Sequence, residues 1–505
     1  MKNSIFSLIL LAATSLFAAD PAIPDAANSN PPPLAWKSAV PRPVFDADPS
    51  LVVLYNKAWE LAWGNVKDQP GLPQSPYMDE GCPDMGNCIW IWDTCFMSLF
   101  CKYAPDTFPG VGSMRNFYVL MHGDKKNKVA LRICHQDNPP LFSWAEYDNY
   151  KFTNDRAHID KLITQEQYLQ KHFAWFSNPT HGPKPTALVA EPDGFKWNGV
   201  ASGMDNTPRR RDGSIYWVDA IAQQGLSALY ISRLADSVGN AEEAARWKET
   251  FETLKKKVND LYWDELDGIY YDIKTDTKAK SRIRTPASFW PMFAEMCTQE
   301  QAARLVKHLE DPNGLGGQYP WVTLARDDKD FNSASGDYWR GAIWLPTSYM
   351  GIKALEKYGY DELADKTAAR LLNQMNDTYK NYEPHTIWEC YNPSKAEPST
   401  KRGKCVRPDF CGWSALGPIS LFIENILGFH SVDAQKNEIK WRLHQTCRHG
   451  IQHLRFGKTV TDILYNGNGT VTVNSDQAYT LVINGTPFEV KPGDNRFDNI
   501  KPRQP

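Results

Sequence analysis

The sequence lacks two features that mark common classes of protein. After the first twenty of its 505 residues it has no apolar run of about 18 residues, so no membrane span is expected. It also has no excess of positive charge, since 56 Lys and Arg stand against 59 Asp and Glu, and the one basic run is at 209–211. A nucleic-acid partner is therefore not expected, because phosphate binding rests on clustered Lys and Arg.

The ten cysteines lack the usual spacing of a zinc site. They contain no CxxC pair, and no histidine falls within either of their two clusters. The clusters are Cys82, Cys88, Cys95 and Cys101, and Cys390, Cys405 and Cys411. We expect one or two local disulfides, with Cys82–Cys88 and Cys405–Cys411 as first candidates, although the spacing leaves the connectivity open. A zinc site is the alternative.

The N-terminus has the layout of a secretory signal peptide. Met1, Lys2 and Asn3 precede an apolar stretch over 5–17, and Ala18 and Ala19 follow. We expect residues 1–19 to be a signal peptide and the protein to be exported, either to the periplasm or out of the cell. Such a compartment permits disulfides. Residues 20–47, which include three consecutive prolines at 31–33, predict an extended proline-rich arm.

Apolar residues recur at helical spacing from residue 51 onward. Helices are predicted to begin near residue 51 and to cover 89–102, 164–176, 217–236, 241–261, 298–309, 342–357, 362–378 and 414–426. Two of them carry the pattern of a capping box at their start, Thr298 with Gln301 and Thr164 with Gln167.

Long helices with almost no strand pattern before residue 435 indicate an all-α domain of paired helices over 48–434. In a ring of helical hairpins the loops at one end converge on a central pit, and we expect the chemistry there. The pattern then alternates with period two, as in TVTV at 470–473 and YTLVI at 479–483. Residues 435–505 are therefore predicted to form a small β-rich C-terminal domain.

Asp205 lies in a setting that is unlike an ordinary surface. It follows Ser202 and Gly203 in a loop that begins at Trp197. A loop lined by apolar and aromatic groups raises the pKa of a carboxyl group by desolvation, as a general acid that works near neutral pH requires. The alternative is that Asp205 caps a helix that begins at Pro208.

Glu389 stands between two aromatic residues, Trp388 and Tyr391. Aromatic side chains on both sides of a carboxylate suit the wall of a sugar-binding site. The alternative is a glutamate that pairs with a nearby arginine beneath an aromatic lid. Cleavage of a glycosidic bond with inversion needs two carboxyl groups, one to protonate the leaving group and one to activate water.

Several motifs occur in order along the chain and carry a family resemblance over about 89–427. They are WIWDTCF at 90–96, NPPLFSWAE at 138–146, SGMDN at 202–206, DYWRGAIWLP at 337–346, WECYNP at 388–393 and FCGWS at 410–414. With these motifs the chain resembles the clan of (α/α)6 hydrolases that contains glycoside hydrolase family 63. That clan includes processing α-glucosidases and bacterial mannosylglycerate hydrolases, with trehalases as cousins.

The resemblance implies an all-α (α/α)6 barrel with a small C-terminal β-rich appendage. It implies Asp205 as general acid and Glu389 as general base, with Asp337 and Glu146 as the substitutes if either role is misplaced. It also implies that further residues of the motifs contact the sugar. Those residues are Trp92, Asp93, Trp144, Asn206, Trp339, Arg340, Trp344, Trp388 and Tyr391. Cys390 and Cys411 are unusual for the family, and a disulfide between them would stiffen this wall.

The expected activity is exo-acting, inverting hydrolysis that releases a terminal α-linked sugar from an oligosaccharide or glycan, with α-glucosidase first. Trehalase and mannosylglycerate-type hydrolase are the enzymatic alternatives. A carbohydrate-binding protein that has lost catalysis and a purely structural exported protein are the alternatives from other classes. The mechanism needs no cofactor and no catalytic metal, a structural calcium ion stays open, and the sequence assigns no oligomeric state.

Overall fold

The computed structural model describes residues 35–81, 88–123, 131–178 and 187–503. The predicted signal peptide at 1–19 and the first part of the predicted arm lie outside these residues. None of the helices in the described ranges is long and apolar enough to cross a membrane.

The helices fall into a buried set and a half-buried set. Their bounds are α1 Pro49–Gly64, α2 Ile91–Cys101, α3 Gly110–His122, α4 Phe142–Thr153, α5 Arg156–Asp160, α6 Tyr168–Ser177, α7 Val218–Ser237, α8 Ala241–Tyr262, α9 Trp290–Phe293, α10 Gln299–Glu310, α11 Leu345–Lys357 and α12 Asp361–Asn381. Two π-helical segments, Lys161–Glu166 and Gly417–Ile426, complete them, together with short 3-10 turns at Ala35–Ser38, Pro208–Arg210, Pro286–Phe289 and Ser414–Leu416.

The two sets have different surfaces. Every residue of α2 and of the segment Gly417–Ile426 is buried, and α7 is buried over most of its length. By contrast α8, which packs along α7, and α10 each bury one face. Helices that are apolar all round belong in a core, whereas amphipathic helices cover it. The helical body therefore has an inner layer and an outer layer.

Most predicted helices are confirmed within a few residues, and so is the capping box at Thr298 and Gln301. The capping box at Thr164 and Gln167 is wrong. Thr164 lies within a π-helical turn and donates to the carbonyl of Asp160 at 2.6 Å. Gln167 has a left-handed backbone with φ of 54°, and α6 begins after it.

Four helices, α3, α4, α5 and the short α9, have no counterpart among the predicted ones. In α4 the buried face contains Ser143, Glu146 and Asn149 as well as apolar side chains, so no apolar stripe marks it. The α3 sequence opens with Gly110, which is a poor helix former.

Short two-stranded ladders lie among the helices. They pair β2 Val66–Lys67 with β3 Tyr77–Met78, β4 Cys88–Ile89 with β5 Arg132–Ile133, β6 Val189–Glu191 with β7 Gly194–Lys196, β8 Ile215–Tyr216 with β11 Ile273–Lys274, β9 Trp263–Asp264 with β10 Ile269–Tyr270, and β12 Thr400–Lys401 with β13 Lys404–Cys405. These ladders shape loops at the helix ends rather than form a layer of their own.

The C-terminal strands form two sheets, as the alternating pattern predicts. Their bounds are β1 Arg42–Phe45, β14 Ser431–Asp433, β15 Glu438–Trp441, β16 His449–Phe456, β17 Thr459–Tyr465, β18 Val471–Ser475, β19 Tyr479–Ile483, β20 Thr486–Val490 and β21 Gly493–Phe497. The strand orders are β1-β16-β17-β18-β21 and β14-β15-β19-β20. Strand β1 comes from the predicted arm and pairs antiparallel with β16, with Phe45 opposite His449.

The cysteine pairing differs from every predicted pair. Cys88 is bridged to Cys134, with their Cα atoms 5.8 Å apart, because the parallel pairing of β4 and β5 brings them together. Cys82–Cys88 is therefore wrong, and Cys82 itself lies outside the described residues. Cys405–Cys411 and Cys390–Cys411 are wrong as well, since all three thiols are free. Cys405 is exposed in a hairpin, whereas Cys411 is buried.

No cluster of three or more His, Cys, Asp or Glu that could hold a metal ion occurs among the described residues.

The basic run at 209–211 does not form a basic surface. Arg209 is fully buried and donates to Asp219 at 2.6 and 2.8 Å and to Asp272 at 2.5 and 2.8 Å. Its guanidinium also lies 4.2 Å from the centre of the Trp217 ring. This cluster ties the loop that contains residue 205 to the start of α7.

Replacing Arg209 with methionine should destabilise the protein by about 3–5 kcal/mol, because two buried carboxylates lose their shared partner. Thermal and urea unfolding followed by tryptophan fluorescence would measure this. Arg210→Met is the matched control, since Arg210 is exposed, and it should stay within about 0.5 kcal/mol of the wild type. Equal stability of the two variants would contradict the assignment.

Candidate active site

A pit of about 80 Å³ opens among the loops that precede α2, α7 and α11. Its aromatic lining consists of Trp90, Trp92, Tyr338, Trp339, Trp344 and Trp413. Its polar lining consists of Glu80, Asp93, Asn138, Asp205 and Arg407. Several carboxyl groups therefore face one aromatic cavity.

Larger cavities lie elsewhere. In one of them, which Lys102, Lys353 and Glu424 line, the charged groups pair with one another. Glu424 accepts hydrogen bonds from Tyr103 and Tyr349 and pairs with Lys102 at 3.2 Å and Lys353 at 2.9 Å. Burial alone would raise the pKa of Glu424, but the two lysines outweigh it and hold the pKa at about 2. We therefore place the chemistry in the smaller pit.

The loop that carries Asp205 needs its glycines. A Cβ on Gly199 would lie 2.1 Å from the carbonyl oxygen of Asp205, and a Cβ on Gly203, whose φ is +80°, would press on the Trp92 ring at 3.2 Å. Asp205 does not cap a helix. The cap position of the short turn that begins at Pro208 is occupied by Thr207, and no side chain makes a capping bond there. The carboxyl group is thus left to face the pit.

Asp205 has one cationic partner. Lys401 Nζ lies 3.2 Å from Oδ2 of Asp205 and stands over the Tyr338 ring, 3.8 Å from its centre. Burial raises the pKa of Asp205 above its ordinary value; Lys401 opposes this shift and the charge of Glu389 adds to it. The environment of Asp205 therefore favours the protonated form.

Glu389 is buried and receives hydrogen bonds at its carboxylate. Tyr338 donates its hydroxyl to Oε1 at 2.9 Å, and the Arg407 guanidinium donates to the same oxygen at 2.6 Å. The Glu389 backbone is fixed as well, since its N–H donates to the Arg407 carbonyl and its carbonyl accepts from Trp413 Nε1, each at 3.0 Å. The arginine partner considered from the sequence is thus present, and two side-chain donors bind the same carboxyl oxygen of Glu389.

Tyr338 sits in a strained turn that Asn206 holds. Asp337 and Tyr338 have φ of 33° and 67°, which non-glycine residues rarely adopt. Asn206 Nδ2 donates to the Asp337 carbonyl at 2.9 Å, and its Oδ1 accepts from the Trp339 N–H at 2.8 Å. Asn206, predicted to contact sugar, therefore braces the turn beside the pit instead of lining it.

Asp93 and Trp92 project from the first turn of α2 into the pit. Burial raises the pKa of Asp93 well above its ordinary value; the Arg407 charge opposes this, while Glu389 and Asp205 add to it. These mutual effects indicate that Asp93, Asp205 and Glu389 share one electrostatic environment.

Trp339 and Trp344 line the pit and stack on each other, with ring centres 4.1 Å apart. Four other predicted residues are not part of the lining. Trp144 lies behind the pit, stacked on Tyr349, and Arg340 is exposed.

Trp388 and Tyr391 are the other two. The Tyr391 hydroxyl accepts from the Trp388 N–H at 3.2 Å, and both side chains are buried in the wall behind Glu389. The two substitutes for the acid and base also lie outside the lining. Asp337 Oδ1 accepts from the Arg402 N–H, and Glu146 is bound by Tyr118 and His158.

Several residues of the site were not predicted from the sequence. Tyr338 and Trp413 lie inside the quoted motifs, so their motifs could have pointed to them. Arg407 and Lys401 lie on or just after the hairpin β12–β13, where only a run of basic residues following the Glu389 motif could have signalled them.

The chain matches known proteins over most of its length. A family model described as "Mannosylglycerate hydrolase MGH1-like glycoside hydrolase domain" matches residues 134–410. An uncharacterized protein of Borreliella burgdorferi is 26% identical over 473 residues, covering 87% of this chain and 94% of that protein.

Two further similar proteins have a named activity. A probable mannosyl-oligosaccharide glucosidase of Schizosaccharomyces pombe is 25% identical over 419 residues, covering 71% of this chain and 51% of that protein, so the chain matches about half of its length. The GH63 mannosylglycerate hydrolase of Thermus thermophilus, solved with glucose, has a TM-score of 0.55 at 17% identity, covering 73% of this chain and 99% of that one. The second likeness concerns the fold alone.

Asn206→Ala should cost about 1–3 kcal/mol of stability, because the Trp339 N–H and the Asp337 carbonyl lose their partners. Asn206→Asp, which keeps the acceptor for Trp339 and loses the donor for Asp337, should fall between the alanine variant and the wild type. Urea unfolding of the purified variants would show this order. Asn381→Ala, at an exposed site on α12, is the control and should change little; an alanine variant at 206 as stable as this control would contradict the brace.

Proposed function

The chain belongs to the family of mannosylglycerate hydrolase MGH1-like glycoside hydrolase domains, and from this premise we propose that it is an exo-acting, inverting hydrolase of α-linked sugars. We propose an α-glucosidase first, acting on a terminal sugar of an oligosaccharide, with trehalase and mannosylglycerate-type hydrolase as alternatives. The observation that carries the proposal is the pair Asp205 and Glu389. Asp205 lines the pit and lies beside Lys401, whereas Glu389 is hydrogen-bonded to Tyr338 and Arg407, two residues of the pit lining.

In the proposed mechanism Asp205 is the general acid and Glu389 the general base. Asp205 would protonate the glycosidic oxygen as the bond to the anomeric carbon breaks. Glu389 would take a proton from a water that attacks the opposite face of that carbon. The mechanism requires a separation of about 6.5–9.5 Å between the two carboxyl groups, which leaves room for the water.

The remaining residues would have separate tasks in this scheme. Trp92, Asp93, Trp339 and Trp344 would hold the sugar at the blind end of the pit, since they line it. Arg407 and Tyr338 would orient Glu389 through their hydrogen bonds. The chemistry would need no cofactor.

We further propose that the two helical layers over 48–434 close into an (α/α)6 barrel, with 435–505 as the C-terminal β-rich domain. Export to the periplasm or out of the cell also remains our proposal. The disulfide between Cys88 and Cys134 supports it, because such bonds persist in oxidising compartments.

The first test is release of monosaccharide from a panel of α-linked glucosides, mannosides and galactosides, with the anomer followed by NMR. The wild type should release the inverted sugar. Asp205→Asn and Glu389→Gln should each lower kcat/KM at least about a hundredfold, because each removes one proton-transfer group.

Asp337→Asn is the control, since Asp337 lies outside the pit lining and its amide oxygen can still accept from Arg402. It should keep most of the activity. Loss of activity in this variant or in Glu146→Gln, with activity retained in the Asp205 and Glu389 variants, would transfer the catalytic roles. Sugar binding without any turnover would favour a carbohydrate-binding protein.

Lys401→Met should move the alkaline limb of the kcat/KM profile to higher pH. Asp205 acts in its protonated form, so activity falls as the pH rises through its pKa. Lys401 lowers that pKa, and the variant removes the positive charge.

Lys404→Met is the matched control, because Lys404 is the cross-strand partner of Lys401 in the same hairpin and is exposed. Its profile should coincide with that of the wild type. An alkaline limb that stays in place or moves to lower pH in Lys401→Met would contradict the role of Asp205 as the acid.

A further inference from the structure

Glu80 lines the pit from a segment that none of the motifs includes. It follows the hairpin β2–β3, where the Asp79 N–H donates to the Asn65 carbonyl at 2.9 Å. Its own carbonyl oxygen lies close to Gly412, since a Cβ there would be 3.4 Å away. The backbone of Glu80 is therefore fixed between a hairpin and the loop that precedes Trp413.

Both carboxyl oxygens of Glu80 are buried and lack a hydrogen-bond partner among the described residues. The residue is only 1% exposed. A buried carboxyl group without a partner is costly, and such groups are rare in native structures unless a function retains them. The partner that this site lacks in the protein is expected to be a ligand in the pit.

Other buried glutamates show what a structural role looks like here. Glu146 is equally buried, at 1% exposure, yet Tyr118 donates to one of its oxygens at 2.9 Å and His158 bonds the other at 2.8 Å. Glu424 is bonded by two tyrosines and two lysines. Glu80 differs from both in its position at the pit and in having no tyrosine, histidine or lysine donor among the described residues; the polar side chain next to it is another carboxyl group, that of Asp79.

Two neighbours extend this unpaired polar surface. Asn138 Oδ1 lines the pit, is buried and has no partner among the described residues, although its Nδ2 donates to the Ala201 carbonyl. Burial raises the pKa of Glu80 well above its ordinary value, and the charges of Asp79 and Asp93 raise it further. A carboxyl group held neutral can both donate and accept a hydrogen bond.

We propose that Glu80 and Asp93 form a hydroxyl-binding floor that selects an uncharged hexose ring at the blind end of the pit. Glu80 would bond one hydroxyl of the ring and Asp93 a neighbouring one. A sugar acid would be rejected, because its carboxylate would meet several acidic groups there. This inference rests on the proposed function and adds the class of sugar and a specificity-determining residue.

The test measures binding, so it does not depend on turnover. D-Glucose, D-mannose and D-galactose are titrated into the wild type by calorimetry, and the tightest is compared with its monodeoxy analogues and its uronic acid. Glu80→Ala should weaken hexose binding about tenfold or more, while Glu80→Gln, which can also donate and accept, should stay within about threefold. One deoxy analogue should bind the wild type weakly and bind Glu80→Ala as the parent sugar does.

Thermal unfolding separates this role from a structural one. Glu80→Gln should unfold at the same temperature as the wild type or higher, because an unpartnered buried carboxyl group is removed. Glu146→Gln is the matched control and should unfold at a lower temperature, since the amide cannot match both bonds of the carboxylate, while hexose affinity stays unchanged. A loss of stability in Glu80→Gln, together with unchanged hexose affinity in Glu80→Ala, would overturn the proposal.

The outcomes distinguish this inference from the proposed function. Hydrolysis that needs Asp205 and Glu389, with hexose affinity equal in the wild type and Glu80→Ala, would overturn the inference alone. Hexose binding that depends on Glu80, without cleavage of any glycoside, would overturn the proposed function alone. Three other results would each overturn the inference. The first is tighter binding of the uronic acid than of the hexose, and the second is no hexose binding at all. The third is Ca²⁺ binding that Glu80→Gln abolishes without a change in hexose affinity.

Discussion

Carboxyl groups that are buried side by side repel one another. Glu80, Asp93 and Asp205 line the pit, and Glu389 lies next to it, bonded to the lining residues Tyr338 and Arg407. The protein relieves this repulsion from one short stretch of chain. The hairpin β12–β13 contributes Lys401 to Asp205, and Arg407 follows it and reaches Glu389. Lys401 is half-exposed, whereas Arg407 bonds the buried Glu389. The carboxyl groups of Asp205 and Glu389 therefore differ in environment.

The rest of the helical body contrasts with this arrangement. Behind the pit the inner helices bury Lys102, Lys353 and Glu424, and Arg209 is buried beside Asp219 and Asp272, but in each case opposite charges lie in contact. Paired charges of this kind satisfy their own hydrogen bonds and leave nothing for a ligand. Among the described residues, the buried oxygens of Glu80 and the Oδ1 of Asn138 have no such partners, which agrees with the hydroxyl-binding floor that we propose.

The sequence predicted the helices whose apolar stripe faces a core and the alternating strands at the C-terminus. It also singled out Asp205, which lies in the lining of the pit. It failed where the determining contact joins distant segments. Cys88 pairs with Cys134 because two short strands run in parallel, and no local spacing shows this. Trp144 and Tyr391 are aromatic residues of the quoted motifs, yet they pack into the wall. Arg407 lies outside those motifs, yet it lines the pit and bonds Glu389.

The placement of Asp205 and Glu389 relative to each other depends on the side chain of Asn206. Asn206 follows Asp205 directly, and its side chain holds the strained turn at Asp337 and Tyr338. Tyr338 in turn donates to Glu389. A continuous series of contacts therefore runs from the Asp205 loop through this turn to Glu389, so a shift of either segment would change both carboxyl environments together. Backbone strain at this point is tolerated because Asn206 satisfies a donor and an acceptor of the turn.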